Sequence, residues 1–347
     1  MRFYTNQHKF YCGIDLHART MYLCILNQEG KIILHRDIKT DPDIFLKTIA
    51  PFREDIVVAV ECIFTWYWLA DLCSGENIPF VLGHALYMKA IHGGKAKNDK
   101  VDAYKIAALL RGGMMPLAYV YPSDMRSTRD LLRRRNHLAR KRAELLAHVQ
   151  NTNHQYNLPA IEKNLGKKGN REGVAMRFPD LCVQKSVELD LDLIDHYDQL
   201  LHRIEHEISL IAKKYDADSY FRLRSIPGIG RILGLVILYE IHDIDRFPRV
   251  QDFVSYCRLV KCAKESAGKI MGSSGKKIGN AHLKWAFSEA AVLFLRRNPE
   301  AVAYRNKLAR KHGAAKSLTI LAHKLARAVY IILKKKEVFH PEVFFAK

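Results

Sequence analysis

Five apolar residues in succession, Ile56-Val57-Val58-Ala59-Val60, run directly into a carboxylate, Glu61. A strand that alternates apolar and polar residues keeps one face in water, whereas a strand without alternation is covered on both faces. This run therefore demands a sheet packed between helices, and the flanking sequence supplies both. Short apolar runs at 10–15, 21–26 and 32–35, the last two separated by Gln28-Glu29-Gly30, read as a β-meander. A helix starts near Asp41-Pro42, helical stretches cover 66–73, 85–91 and 99–110, and 78–82 reads as a further strand. Residues 119–121 close the unit before Pro122. Three antiparallel strands followed by alternating helices and strands predict an α/β layered domain over residues 1–122.

Charge decides what such a chain binds. Among 347 residues, 56 Lys and Arg stand against 36 Asp and Glu, a formal net charge of +20. So large an excess favours a polyanion, because neutralising phosphates releases their condensed counterions. An anionic membrane would also attract it, but the apolar run at 328–333 ends in three lysines and residues 2–9 are polar. Neither a membrane span nor a signal peptide is expected, and nucleic acid is the better partner. The seven cysteines are odd in number and form no CxxC pair, which argues against a disulfide framework or a zinc ribbon and for a cytoplasmic protein.

After Pro122 the character changes. Eight basic residues (Arg126, Arg129, Arg133, Arg134, Arg135, Arg140, Lys141 and Arg142) share a stretch in which Leu131, Leu138 and Leu145 recur every seven. That is a basic amphipathic helix, with Arg133, Arg134 and Arg135 as candidate nucleic-acid contacts. Beyond a connector at Leu165-Gly166-Lys167-Lys168-Gly169, Ile194, Tyr197, Leu201, Ile204, Ile208 and Ile211 fall at spacings of three and four. Two such helices predict an antiparallel coiled-coil arm over 123–215, the alternative being a helix buried on its own domain. His202-Arg203-Ile204-Glu205-His206 matches the HxxEH pattern of some zinc peptidases, but Ile204 belongs to the seam, which leaves both histidines near solvent. Periodic segments at 282–295, 301–311 and 318–333 predict a mainly α-helical third domain over 216–347.

Four carboxylates stand where chemistry could use them. Asp15 closes the first strand in Gly13-Ile14-Asp15-Leu16-His17, Glu61 closes the buried strand, and Asp99 and Asp102 are three apart on a helix. Acidic groups at the ends of central strands are held rigidly at the sheet edge, and residues three apart share a helix face. Converging carboxylates repel unless cations screen them, and hard oxygen ligands suit Mg²⁺ or Mn²⁺.

The C-terminal third carries two further motifs. Glycines 228, 230 and 234 have GxGxxxG spacing without a preceding βαβ strand, so a dinucleotide loop is rejected. Ile226-Pro227-Gly228-Ile229-Gly230 instead resembles the turn of a helix-hairpin-helix, where Gly228 and Gly230 let backbone N–H groups approach a phosphate and Arg231 adds charge. An ordinary helix–helix turn is the alternative. Downstream, Glu265-Ser266-Ala267-Gly268-Lys269 and Ser273-Ser274-Gly275-Lys276-Lys277-Ile278-Gly279-Asn280 lack Walker spacing and read as a basic loop, in which Lys269, Lys276 and Lys277 are candidate phosphate contacts.

The ordered Asp-Glu-Asp-Asp set on a meander layout resembles the ribonuclease H-like superfamily, in its Holliday-junction resolvase (RuvC-like) branch. Combined with IPGIG and SAGK…SSGKKIGN…HLKWA, it resembles the DEDD transposases of insertion-sequence family one-ten, over about residues 10–121 and 220–295. The resemblance implies that Asp15, Glu61, Asp99 and Asp102 bind metal and that a C-terminal serine, here Ser266, is the nucleophile. The family's proline after Leu-Val is Lys261 in this chain, a change that bears on loop shape. The resemblance further implies a homo-oligomer (dimer or tetramer) and a structured guide RNA that pairs with donor and target DNA. Attack by a serine would leave a phosphoserine link and a free 3′-hydroxyl, conserving phosphodiester energy. Two rivals remain: a resolvase-type, structure-selective nuclease using water, and a nucleic-acid scaffold with a degenerate site. Only the serine recombinase predicts a covalent protein–DNA adduct.

Overall fold

The computed structural model describes residues 2–91, 98–211, 216–260, 262–274 and 278–346. Two compact units divide the chain, Met1–Ser123 and Asp124–Lys347. In the first, β1 (Phe3–Tyr4) precedes the meander β2 (Phe10–Leu16), β3 (Thr20–Asn27) and β4 (Ile32–Lys39). Asp41 caps α1 (Pro42–Ile49) by accepting a hydrogen bond from the Ile44 N–H, with Pro42 pre-set for the first helical turn. Then follow β5 (Ile56–Glu61), α2 (Tyr67–Gly75), β6 (Phe80–Gly83), α3 (Ala85–Ile91), α4 (Asp99–Arg111) and β7 (Met115–Pro116).

The sheet runs β4-β3-β2-β5-β6, with β2, β3 and β4 antiparallel and β5 and β6 parallel to β2. Side chains alternate between its faces, so each residue's parity fixes its neighbours. Cys12, Ile14, Ile56, Val58 and Val60 share a core with Phe45 of α1 and Leu69 of α2. Tyr11, Val57 and Ala59 lie on the other face, under Met88 of α3 and Ile106, Leu109 and Leu110 of α4. All five apolar residues of β5 are buried, as a strand without alternation requires. The expected closure at 119–121 is instead made by β7, which pairs antiparallel with β1.

The second unit opens with α5 (Ser123–Gln155) and α6 (Leu181–Ile211). Arg135 bonds Glu205, Arg142 bonds Asp198 and His148 bonds Asp190, a ladder whose partners descend as the first series climbs. The two helices therefore run antiparallel. At their far end, the connector tucks Leu165, Val174 and Phe178 against Val149 and Val187, and the buried Arg171 bonds Asp195 and Asp198. At the near end, Met125, Leu132 and Ile208 enter the main core of the unit.

That core is formed by α7 (Ala217–Arg224), α8 (Arg231–Ile241), α9 (Val250–Tyr256), α10 (Ala281–Phe294), α11 (Pro299–His312), α12 (Ala314–Lys335) and α13 (Pro341–Phe345). Between α9 and α10 an antiparallel hairpin, β8 (Cys262–Ser266) and β9 (Lys269–Ser274), occupies part of the segment expected to be a loop. The unit is thus mostly helical, as the periodic segments predict. No helix among the described residues is long and apolar enough to cross a membrane.

A buried carboxylate sits inside this core. Glu240, in the otherwise apolar α8, is 2% exposed. The Arg133 guanidinium donates to both its oxygens, at 2.6 and 2.8 Å, and the Asn280 amide donates to Oε2 at 2.7 Å. Asn280 also caps α10, its Oδ1 accepting from the N–H groups of His282 and Leu283. Burial pushes the Glu240 carboxyl up, but Arg133, Asn280 and the nearby His282 outweigh it, leaving it below its ordinary value of 4.5. A depressed carboxylate contributes stability above its unfolded pKa and loses it as pH falls through the folded one. The wild type should therefore lose stability on acidification below about pH 4.5, and Glu240→Gln should flatten that dependence in thermal melts. At neutral pH the variant should cost about 2–3 kcal/mol, less than a fully buried pair because Arg133 keeps partial solvent access. An unchanged melting profile would deny this carboxylate its structural role.

Candidate functional site

Parity places the acidic residues. Asp15 and His17 follow Tyr11 and Gly13, and Glu61 follows Val57 and Ala59, so all three belong to the α4-covered side of the sheet. Ile14 pairs with Val60, which puts Asp15 and Glu61 next to one another at the carboxyl ends of adjacent parallel strands. Ligands collect at this edge in open α/β sheets.

What brings the helical pair to that edge is a glycine. A Cβ built on Gly13 would lie 2.3 Å from the Ala107 nitrogen and 2.4 Å from the Ala103 oxygen. The α4 backbone therefore rests directly on β2, and Ala103 and Ala107 pack with Cys24 and Leu26 beneath. Asn98 caps the helix by accepting from the Val101 N–H, and His35 bonds the Lys100 carbonyl. Asp99 stands one turn before Ala103, hence above the end of β2 that carries Asp15. Asp102 heads the stripe of Ile106, Leu109 and Leu110 that covers β5, the strand that ends in Glu61. Both aspartates also suit the positive end of the helix dipole, which explains their tolerance there without any ligand.

The resulting cluster is not quite the expected quartet. Asp15, His17 and Asp99 offer ligand atoms within 4.8 Å of one another. His17 Nε2 lies 3.5 Å from Asp15 Oδ2 and 3.6 Å from Asp99 Oδ1. Asp102 accepts from Lys105 Nζ at 3.2 Å. His17 was not among the residues expected to form the site; its one sequence signal is its place two residues after Asp15, just past β2. Two carboxylates and an imidazole at this spacing could hold one divalent cation with bonds of about 2.0–2.2 Å. A groove of about 530 Å³, bordered by His17, Thr40, Phe64, Tyr67 and Trp68, opens beside the cluster.

In the second unit, Ser266 ends β8 opposite Lys269, and both side chains are exposed. Ala267 and Gly268 between them have φ of +48° and +74°, the two-residue turn whose twist matches a hairpin. Lys276 and Lys277 lie outside the described residues. Gly228, at φ +85°, has its missing Cβ explained by α10, since that atom would meet the Phe294 nitrogen at 2.5 Å. Gly230 caps α8 with open space around it, and Arg231 approaches Glu205 at 3.6 Å. Of the three arginines singled out on α5, Arg133 grips Glu240, Arg135 grips Glu205, and Arg134 is exposed. His202 and His206 are exposed too, while the Glu205 between them serves Arg135 and Arg231.

An α/β unit with carboxylates at adjacent strand ends is consistent with a DEDD, ribonuclease H-like domain. Residues 12–157 match the DEDD transposase family model of the IS110 type, and residues 220–306 match the model described as Transposase IS116/IS110/IS902 family. The chain is 25% identical to the transposase of insertion sequence element IS1328 from Yersinia enterocolitica, over 94% of this chain and 97% of that protein. It is 23% identical to the transposase of IS1111A from Coxiella burnetii, over 94% of this chain and 90% of its relative. The chain belongs to this insertion-sequence transposase family, and membership implies enzymatic cleavage and rejoining of DNA.

The geometry of α4 is open to direct test. Gly13→Ala should force the helix off β2 and cost about 1–3 kcal/mol, the usual penalty for overpacking a filled core. Denaturant unfolding measures this. Wild-type stability would mean that α4 rises freely and that the acidic residues are not held by this contact.

Proposed function

We propose that the protein is a serine recombinase: Ser266 attacks a DNA phosphate while Asp15, Glu61, Asp99 and Asp102, joined by His17, hold Mg²⁺ or Mn²⁺. The observation that carries the reading is the exposure of Ser266 beside a fixed hairpin turn, in a chain whose other unit gathers acidic ligands at a sheet edge. Ser266 Oγ would form a bond to phosphorus as the bond from phosphorus to the 3′ oxygen breaks. The serine proton leaves to solvent, the departing 3′ oxygen takes up a proton, and the 5′ end stays on the serine as a phosphodiester. Rejoining reverses the step when a 3′-hydroxyl attacks that link, so no ATP is consumed. Lys269, the cross-strand partner of Ser266, would hold the phosphate by charge. A divalent cation bound at the acidic edge would stabilise charge on the reacting oxygens.

Chemistry of this kind begins only when serine and phosphate reach a distance of about 3–3.5 Å, which assembly of a dimer or tetramer would control. We further assign the α5–α6 pair, 123–215, the role of a coiled-coil arm, and the 226–231 turn that of a helix-hairpin-helix contact with nucleic acid. Residues 216–347 would act as the serine-bearing domain. Donor and target DNA would be recognised through a structured guide RNA, in keeping with family resemblance and with the net charge.

Ser266→Ala should bind nucleic acid normally yet form no covalent adduct, while Ser273→Ala and Ser274→Ala retain it. Mass spectrometry of a trapped complex reads this directly, and a nucleotide on any other residue would sink the assignment. Asp102→Asn should abolish strand cleavage with Mg²⁺ as the only divalent cation. Cleavage that proceeds through water, without any adduct, would favour the resolvase-type nuclease instead.

A further inference from the structure

We propose that the corner formed by α11 and α12 grips the phosphodiester backbone of a double-stranded nucleic acid. This rests on the reading that the partner is nucleic acid and says where the grip lies. Residues 296–336 contain twelve Lys and Arg and a single acidic residue, Glu300, so 41 residues carry +11 of the net +20. Among the described residues, Lys334 alone of the twelve pairs with a carboxylate, Asp245. The basic run on α5 is different. Arg126 and Arg129 are buried, and Arg133, Arg135, Lys141 and Arg142 are engaged by Glu240, Glu205, Glu144 and Asp198. The uncompensated charge of this unit is therefore displaced from the helix that looks most basic in sequence.

The arrangement is a surface array. Lys307, Arg310 and Lys311 are exposed at i, i+3 and i+4 on α11, and Lys316 is exposed just beyond the turn at Gly313. Cations in the last turn of α11 suit its dipole and need no ligand to explain them. Lys316 does not: it stands in the first turn of α12, where positive charge is unfavourable and no acidic residue offsets it. Arg296 and Arg297, exposed ahead of α11, directly follow the C-terminal end of α10, where positive charge suits the dipole. A bound polyanion accounts for the placement of Lys316.

The same surface tells which form of nucleic acid fits. Single strands are held by stacking bases on exposed aromatic rings. The two aromatic residues of this stretch are withdrawn, Tyr330 into the core and Tyr304 beneath Lys324, whose Nζ lies 4.5 Å from its ring centre. Cations without stacking platforms read a backbone and not bases. DNA and RNA duplexes share that chemistry.

The test uses the full chain and short duplexes of one sequence, one DNA and one RNA, with affinity followed by fluorescence anisotropy over salt. Lys307→Gln/Arg310→Gln/Lys311→Gln should make the log–log salt slope shallower by about 2.7, at about 0.9 for each lost phosphate contact. A charge-matched control replaces the exposed Lys31, Lys39 and Lys47 of the first unit with Gln and should leave the slope unchanged. Loss confined to the DNA or the RNA probe assigns the surface to that duplex, and loss on both assigns it to either. An unchanged slope in the α11 variant, or an equal change in the control, overturns the proposal while the nucleic-acid reading stands. Failure of the wild type to bind either duplex overturns both.

Discussion

The backbone of α4 lies on the backbone of β2, and the acidic edge exists because of that contact. Helices usually stand off a sheet by the length of the side chains between them. Here the separating side chain is absent at Gly13 and reduced to a methyl group at Ala103 and Ala107. Every other placement in the site follows. A helix this close carries its first turn over the end of β2, so Asp99 comes within reach of Asp15 and His17. Apolar area alone would not do this, since larger side chains bury more surface and hold the helix farther away. The site is favoured by closeness at the expense of burial.

The second unit solves the opposite problem, an excess of positive charge inside its own packing. Its answer is to spend scarce carboxylates internally. Glu240 is fully enclosed yet depressed in pKa, because a forked guanidinium and an amide satisfy both oxygens. Through those bonds α5, α8 and the cap of α10 share one charge centre. Asp198, shared between Arg142 and Arg171, ties α5 and α6 to their connector in the same way. Burial pushes that carboxyl up, and the two arginines more than reverse the effect. Each pairing offsets an arginine with a carboxylate, and the densest run of exposed cations without such partners lies on α11 and the start of α12.

Much of this was legible in the sequence, for identifiable reasons. The apolar run at 56–60 and the first two meander strands became strands within a residue or two of their expected limits, while β4 runs four residues past its expected end. α3 and α4 likewise start where expected. The β8–β9 hairpin was not legible: its apolar residues Ile270 and Met271 are both exposed, so they form no alternating buried pattern. His17 lies one residue past the end of β2, outside the strand's own pattern. The carboxylate partners of Arg133 and Arg135 were not legible, because charge counts register side chains and not their partners. Glu240 left one trace, a lone acid between the apolar run Ile232-Leu233-Gly234-Leu235-Val236-Ile237-Leu238-Tyr239 and Ile241, where an unpaired charge could not persist.

The division of charge between the units bears on how chemistry and grip are shared. Residues 1–123 contain 14 Lys and Arg against 12 Asp and Glu, leaving +2, so the remaining residues carry +18 of the net +20. A unit that gathers carboxylates at one edge repels a phosphate there, at about 1 kcal/mol per unit-charge pair at 4 Å in water and several times more where solvent is excluded. It cannot recruit nucleic acid by its own field. The basic unit can, and cations spread over two helices act over about a Debye length, roughly 8–10 Å at moderate salt. Recruitment and reaction are then separable: the long-range attraction belongs to one unit, and the acidic ligands belong to the other. On the proposed reading, a phosphate reaches the acidic edge when a divalent cation there offsets the carboxylates or when another surface holds it.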